Sequence, residues 1–143
     1  MSEGEGDHRA VCDASAGFDL LLAGSAGSRV AAELDDKRLH VPALFALDVC
    51  AAARARVLSG HLTLGRAGQV VSDVMRFPAV VWSHEPALLF RAWTLRDNIT
   101  TYDAMYVALA EQLGAVLVTT DRRLASAVQR FASCPVADTA VGD

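Results

Sequence analysis

Four aspartates stand at the ends of four apolar segments. Asp13 closes Ala10-Val11-Cys12, Asp48 follows Ala43-Leu44-Phe45-Ala46-Leu47, Asp103 precedes Ala104-Met105-Tyr106, and Asp121 follows Val116-Leu117-Val118-Thr119-Thr120. Carboxylates placed where strands stop, or inside hydrophobic helix faces, are not ordinary surface charges. A fold that gathers them makes an oxygen-rich pocket for Mg²⁺ or Mn²⁺, and such a pocket activates water against phosphate esters. Three of the four also admit a purely structural reading. Asp13, with Ser15 two residues on, suits a helix cap or an Asx turn; Asp121 suits the cap of a helix starting at Arg122; and Thr100-x-x-Asp103 has the form of a capping box. Asp48 is different, because its helical neighbours Leu44, Phe45, Ala51 and Ala52 are all apolar. An unpaired carboxylate on such a face is costly, so a cation or an arginine must be near. Arg54 and Arg56 lack the spacing to supply one from the same helix.

The elements that must position these groups follow from the apolar pattern. Short β-branched runs alternate with helical stretches, the signature of βαβ units and a parallel sheet. Strands are expected at residues 10–12, 39–41, 79–82, 115–119 and 135–137. Helices are expected at 16–23, 28–36, 42–58, 63–76, 86–96, 101–113 and 122–131, with Pro42 in the first turn of the third, where a missing N–H costs nothing. The architecture is α/β, a three-layer α/β/α sandwich around a mostly parallel central sheet. In such sheets ligands sit beyond the carboxyl ends of the strands. Asp13 and Asp121 fall directly after the first and fourth strands, which is that location. Residues 1–9 read as a flexible leader, 10–138 as a single domain and 139–143 as a short tail.

Composition bounds the function. A chain of 143 residues, 52% hydrophobic and 21% charged, is long enough for one well-buried core and too short for two ordinary domains. Cys12, Cys50 and Cys134 are odd in number, distant in sequence and set in apolar contexts; they read as reduced core thiols of a cytoplasmic protein. The first ten residues are acidic and lack the basic and apolar stretches of a signal peptide. The longest apolar run, residues 41–49, is far short of the roughly 18 residues that a membrane span needs.

The formal net charge of −4 argues against a protein that grips nucleic acid by a broad basic surface. The four aspartates carry as much negative charge as the whole excess, so a divalent cation would relieve much of the local repulsion. Of the basic residues only Lys37 is lysine; arginine suits bidentate phosphate contact, though genome composition produces the same bias. His8, His40, His61 and His84 have no metal-ligand spacing. A haloacid-dehalogenase-like phosphatase needs a second carboxylate where Ser15 stands, and a response-regulator receiver needs a late lysine that the chain lacks.

Four segments together carry a family resemblance: Val11-Cys12-Asp13-Ala14-Ser15, Pro42-Ala43-Leu44-x-x-x-Asp48-Val49, Thr101-Tyr102-Asp103-Ala104-x-Tyr106-Val107-Ala108-Leu109-Ala110-Glu111, and Leu117-Val118-Thr119-Thr120-Asp121-Arg122-Arg123-Leu124. In order and spacing they resemble the PIN-domain ribonucleases, specifically the VapC-type toxins of toxin-antitoxin pairs, over roughly residues 10–136. The resemblance implies an endoribonuclease that holds Mg²⁺ or Mn²⁺ with acidic side chains and hydrolyses an RNA phosphodiester. It also implies a homodimer, and a cognate antitoxin that binds over the active site.

Asp13, Asp103 and Asp121 match the family's acidic positions. Asp48 matches the second acidic position, where the family usually carries glutamate, and the missing methylene shortens the reach by roughly 1.5 Å. The roles that follow are metal binding by Asp13, Asp103 and Asp121, with Asp48 acting through water or as general base. Ser15 and Thr119 would orient carboxylates, and Arg96 and Arg122 would meet substrate phosphate, although both also read as solvated helix-end cations. Tyr102, Met105, Tyr106 and Leu109 read as a core or dimer face. The rival reading is a catalytically weakened PIN-fold module that binds RNA or protein.

Overall fold

Unbroken apolar runs make strands whose two faces are both covered, and this is what the centre of the sheet shows. The computed structural model describes residues 8–140. Strand β1 (Arg9–Cys12) lies in the middle of a five-stranded sheet with β2 (Arg38–Pro42) and β3 (Val80–Trp82) on one side, and β4 (Val116–Thr119) and β5 (Val136–Asp138) on the other. All four pairings are parallel. Ala10, Val11, Cys12, Leu117 and Val118 have no exposed surface at all.

The helices are α1 (Ala14–Leu22), α2 (Ser25–Leu34), α3 (Phe45–Leu58), α4 (Leu64–Val74), α5 (Pro86–Thr94), α6 (Thr101–Leu113) and α7 (Arg122–Phe131). The chain steps outward from β1 to β3 through α1–α4, then returns to β4 and β5 through α5–α7. Right-handed crossovers therefore put the first four helices on one face and the last three on the other. The packing agrees: α1 rests on α2, α3 and α4, while α5 rests on α6. The result is a three-layer α/β/α sandwich whose sheet is parallel throughout. The two directions of travel part between β1 and β4, so their carboxyl ends open a crevice there.

Several boundaries differ from the sequence expectation. Pro42 is not the first turn of a helix; it ends β2 in register with Trp82, and α3 begins at Phe45. The ring is tolerated because the β1 pairing of β2 stops at His40, so no partner on that side requires the missing N–H. Both α1 and α2 start earlier than expected, because Asp13 caps the one and Gly24 opens the other. Arg9, placed by sequence in the leader, opens β1. Thr139, placed in the tail, donates both its amide and its hydroxyl to the Thr119 carbonyl, at 2.9 and 3.2 Å. The rest of the leader through Asp7 and the last three residues of the tail lie outside the described residues. No helix among the described residues is long and apolar enough to cross a membrane.

On the far face, the bidentate ion pair of Arg91 with Glu111, at 2.7 and 3.0 Å, ties α5 to α6, and Glu111 also accepts from the Ser133 amide at 2.8 Å. Burial pushes the Glu111 carboxyl up, but Arg91 and Ser133 outweigh it and leave it below the ordinary value. This anchors α6 against the sheet and the loop after α7. At the near face Gly17 is required: a Cβ there would lie 2.5 Å from the Phe45 ring, so α1 could not approach the start of α3.

Candidate active site

Asp13 is delivered to the crevice by β1, whose last amide bond to β4 is the Asp13 N–H donating to the Val118 carbonyl at 3.1 Å. Its carboxylate accepts three hydrogen bonds. Oδ1 accepts from the Ser15 hydroxyl at 2.7 Å and the Ala16 amide at 2.9 Å, and Oδ2 accepts from the Thr119 hydroxyl at 2.6 Å. Those hydroxyls in turn accept the Thr120 amide (on Ser15, 3.1 Å) and the Asp121 amide (on Thr119, 2.9 Å). A closed ring of hydrogen bonds thus fixes the end of β4 to the end of β1, with Asp13 at its centre. Burial still dominates: it lifts the Asp13 carboxyl from the ordinary 3.8 to about 6 against the pull of its three donors, and Asp103 adds repulsion.

Asp121 caps α7 by accepting the Arg123 and Leu124 amides on Oδ1, at 3.0 and 3.2 Å. Asp103 stands in the first turn of α6 behind Thr100, whose hydroxyl accepts the Asp103 amide at 3.4 Å. Asp13 and Asp121 are thus helix caps as well as acids at strand ends, while at α6 the cap is Thr100. Burial raises the Asp103 carboxyl, and the charges of Asp121 and Asp48 raise it further. The charge of Asp103 in turn adds to the raising of Asp13. Asp103 and Asp121 face one another across a cleft of roughly 270 Å³ whose rim includes Asn98, Thr100 and Arg123. A larger cleft, about 640 Å³, lies at the amino ends of β2 and β3 and holds none of the four aspartates.

Asp48 lies in the first turn of α3, and the side chain that meets it is a phenol rather than an arginine. The Tyr106 hydroxyl of α6 donates to Oδ2 at 3.0 Å. Tyr106 is wholly buried, and burial together with the Asp48 charge drives its ionisation far above the ordinary range, so it is a permanent donor. Burial also raises the Asp48 carboxyl, with the Tyr106 bond opposing. The sequence reading placed Tyr106 in the core or a dimer face and missed this role. The signal was present, since a buried phenol must find an acceptor and Asp48 was an acceptor short of a donor.

Arg96 is tied elsewhere. Its guanidinium donates to the Trp93 carbonyl at 3.1 Å and stacks over the Trp93 ring at 4.7 Å, exposed at the end of α5. Arg123, unremarked in the sequence, lines the cleft instead.

The donor set suits a hard divalent cation: the groups are oxygen-only and partly dehydrated, and burial raises the carboxyls of Asp13, Asp48 and Asp103. The fit is to an assembled site rather than to a preformed sphere. Among the described residues no three His, Cys, Asp or Glu side chains stand close enough to hold an ion as they are. Asp103 and Asp121 line one cleft, and the charges of Asp121 and Asp48 raise the Asp103 carboxyl.

The sequence model of the PIN domain matches residues 10–129. The chain is 39% identical over 115 residues to Ribonuclease VapC12 of Mycobacterium tuberculosis, covering 80% of this chain and 88% of that protein. It is 41% identical over 128 residues to Ribonuclease VapC9 of the same organism, covering 88% and 94%. Among solved structures, PAE2754 from Pyrobaculum aerophilum superposes with a TM-score of 0.64 at 24% identity, over 90% of this chain and 82% of that one. FitAcB from Neisseria gonorrhoeae superposes with a TM-score of 0.56 at 16% identity, over 91% and 97%. These two likenesses establish the fold.

Proposed function

The chain belongs to the PIN-domain family, and from that membership we propose that it is an endoribonuclease, the toxin of a toxin-antitoxin pair, working in the cytoplasm with Mg²⁺ or Mn²⁺. The observation that carries this reading is geometric: Asp13 and Asp121 stand at the carboxyl ends of β1 and β4, tied together through Thr119, and Asp103 lines one cleft with Asp121. The relatives are named as ribonucleases, and the chemistry of the crevice suits that activity.

Asp13, Asp103 and Asp121 are the residues that would hold the ion. When bound, it would supply charge neutralisation at the phosphate and acidify a water. Ser15 and Thr119 keep both Asp13 oxygens oriented. Asp48 has one oxygen engaged by Tyr106, which leaves Oδ1 to take the proton from the attacking water. Arg123 at the cleft rim is placed to meet substrate phosphate; Arg96, held on Trp93, is the weaker candidate.

A cognate antitoxin would cover this crevice, and a second copy of the chain would cover exposed apolar side chains such as Phe90 and Trp93 of α5.

The test is a Mn²⁺ titration read by thermal shift and by cleavage of structured RNA. Wild-type protein should gain melting temperature with Mn²⁺ through linkage and cut RNA. Asp103→Asn should do neither while keeping its fold by circular dichroism. Equal cleavage by both proteins would refute the assignment. A fold that binds RNA without Mn²⁺ response or cleavage would favour the weakened binding module.

A further inference from the structure

The start of α3 has an unmet need. Every helix leaves its first amides without partners inside the helix, and these are usually met by a capping Ser, Thr, Asp or Asn. In α3 the capping position is Leu44, which makes no side-chain cap bond. The Leu44 amide instead donates to Nε2 of His84, 3.1 Å away and forty residues later in the chain. The backbone beside it is held from the same loop, with the Ala43 amide donating to the Trp82 carbonyl at 2.7 Å. One turn on, the Leu44 carbonyl accepts the Asp48 amide at 2.9 Å.

We propose that His84 is a positioning residue for Asp48: its imidazole holds the amide of Leu44, the residue that opens α3, and so sets where the Asp48 carboxylate meets the Tyr106 hydroxyl. The bond requires a neutral ring with the proton on Nδ1, because Nε2 must accept. The shortened acid makes the anchorage matter. An aspartate carboxylate follows its own Cα more closely than a glutamate carboxylate does, so a shift of the first turn of α3 passes directly to Oδ1. Asp48 is thereby held from two sides, by Tyr106 through the side chain and by His84 through Leu44 and the backbone. The consequence for catalysis rests on Asp48 being the proton acceptor proposed above.

Three full-length variants test this: His84→Leu, which removes the acceptor; His84→Gln, whose amide oxygen reaches about as far as Nε2; and His84→Asn, which is as polar but too short. Two readouts are taken, hydrogen exchange of the Leu44 amide and the kcat and KM of Mn²⁺-dependent RNA cleavage. Leu44 exchange should quicken about tenfold in the Leu and Asn variants, as expected for one lost hydrogen bond, and return close to wild type in the Gln variant. In parallel kcat should fall about tenfold, with KM nearly constant, and recover with Gln. Unchanged Leu44 exchange in the Leu or Asn variant, or no recovery with Gln, overturns the proposal. Should His84→Leu not fold, the Asn and Gln pair decides by itself. If wild-type protein cuts no RNA, the nuclease reading falls alone, and Leu44 exchange still judges the role of His84.

Discussion

Burial lifts the Asp13 carboxyl from the ordinary 3.8 to about 6, and this has a thermodynamic sign. Because the folded form binds the proton more tightly than the unfolded one, the contribution of Asp13 is favourable below pH 3.8. It is lost as pH rises toward 6, a cost on the order of 3 kcal/mol at neutral pH. In metal-free buffer Asp13→Asn should therefore be more stable than wild type at pH 7.5, by about 1–3 kcal/mol, with the gap closing toward pH 4. Paired thermal melts across that range measure it, and a gap independent of pH would contradict the cause assigned. The neighbouring carboxylate gives a second expectation. Asp48 is half-buried, so Asp48→Glu has room, and it should cleave RNA at least as fast as wild type in a single-turnover assay; complete loss would mean that the Tyr106 contact demands the shorter acid. The sequence exposed the four carboxylates because charge at the edge of an apolar run is visible in one dimension. It hid Tyr106 and His84, which act on residues 58 and 40 positions away, and long-range pairs leave no local periodicity.

At the scale of elements, the order and type of all twelve were legible, since alternating strand and helix patterns with turn residues between them constrain a parallel sheet tightly. What was not legible was the exact point at which competing signals resolve. Pro42 satisfies a helix first turn and a strand end equally well; only the β3 partner decides between them. Another local conflict lies at the end of α1. Ala23 adopts φ 60°, the left-handed region, and its amide closes the helix on the Asp19 carbonyl, although Gly24 follows directly. An alanine there is strained by about 1 kcal/mol, and a glycine is not. Ala23→Gly should thus stabilise the protein by roughly 0.5–1 kcal/mol in urea unfolding, against the usual penalty for a new glycine. A loss of stability would show that the unfolded-state entropy of glycine outweighs the relief.

For the molecule as a whole, α5 carries a run of exposed apolar side chains: Phe90 is 73% exposed, Trp93 63% and Leu89 48%. If a second copy covers them, wild-type protein should run as a dimer in light scattering, and Phe90→Asp with Trp93→Asp should leave a monomer of unchanged fold; a dimer surviving both changes would place the contact elsewhere. No pattern in the sequence separates such a face from core, because both are apolar at helical spacing. The central place of β1 carries one more consequence. Its outer neighbour β2 is available early, but the ring that orients Asp13 needs Thr119, Thr120 and Asp121, which the ribosome makes more than a hundred codons later. On the function proposed above, a nascent chain would carry no assembled site around the ribosome that is making it, because the blade comes together only when nearly all of the described chain has emerged.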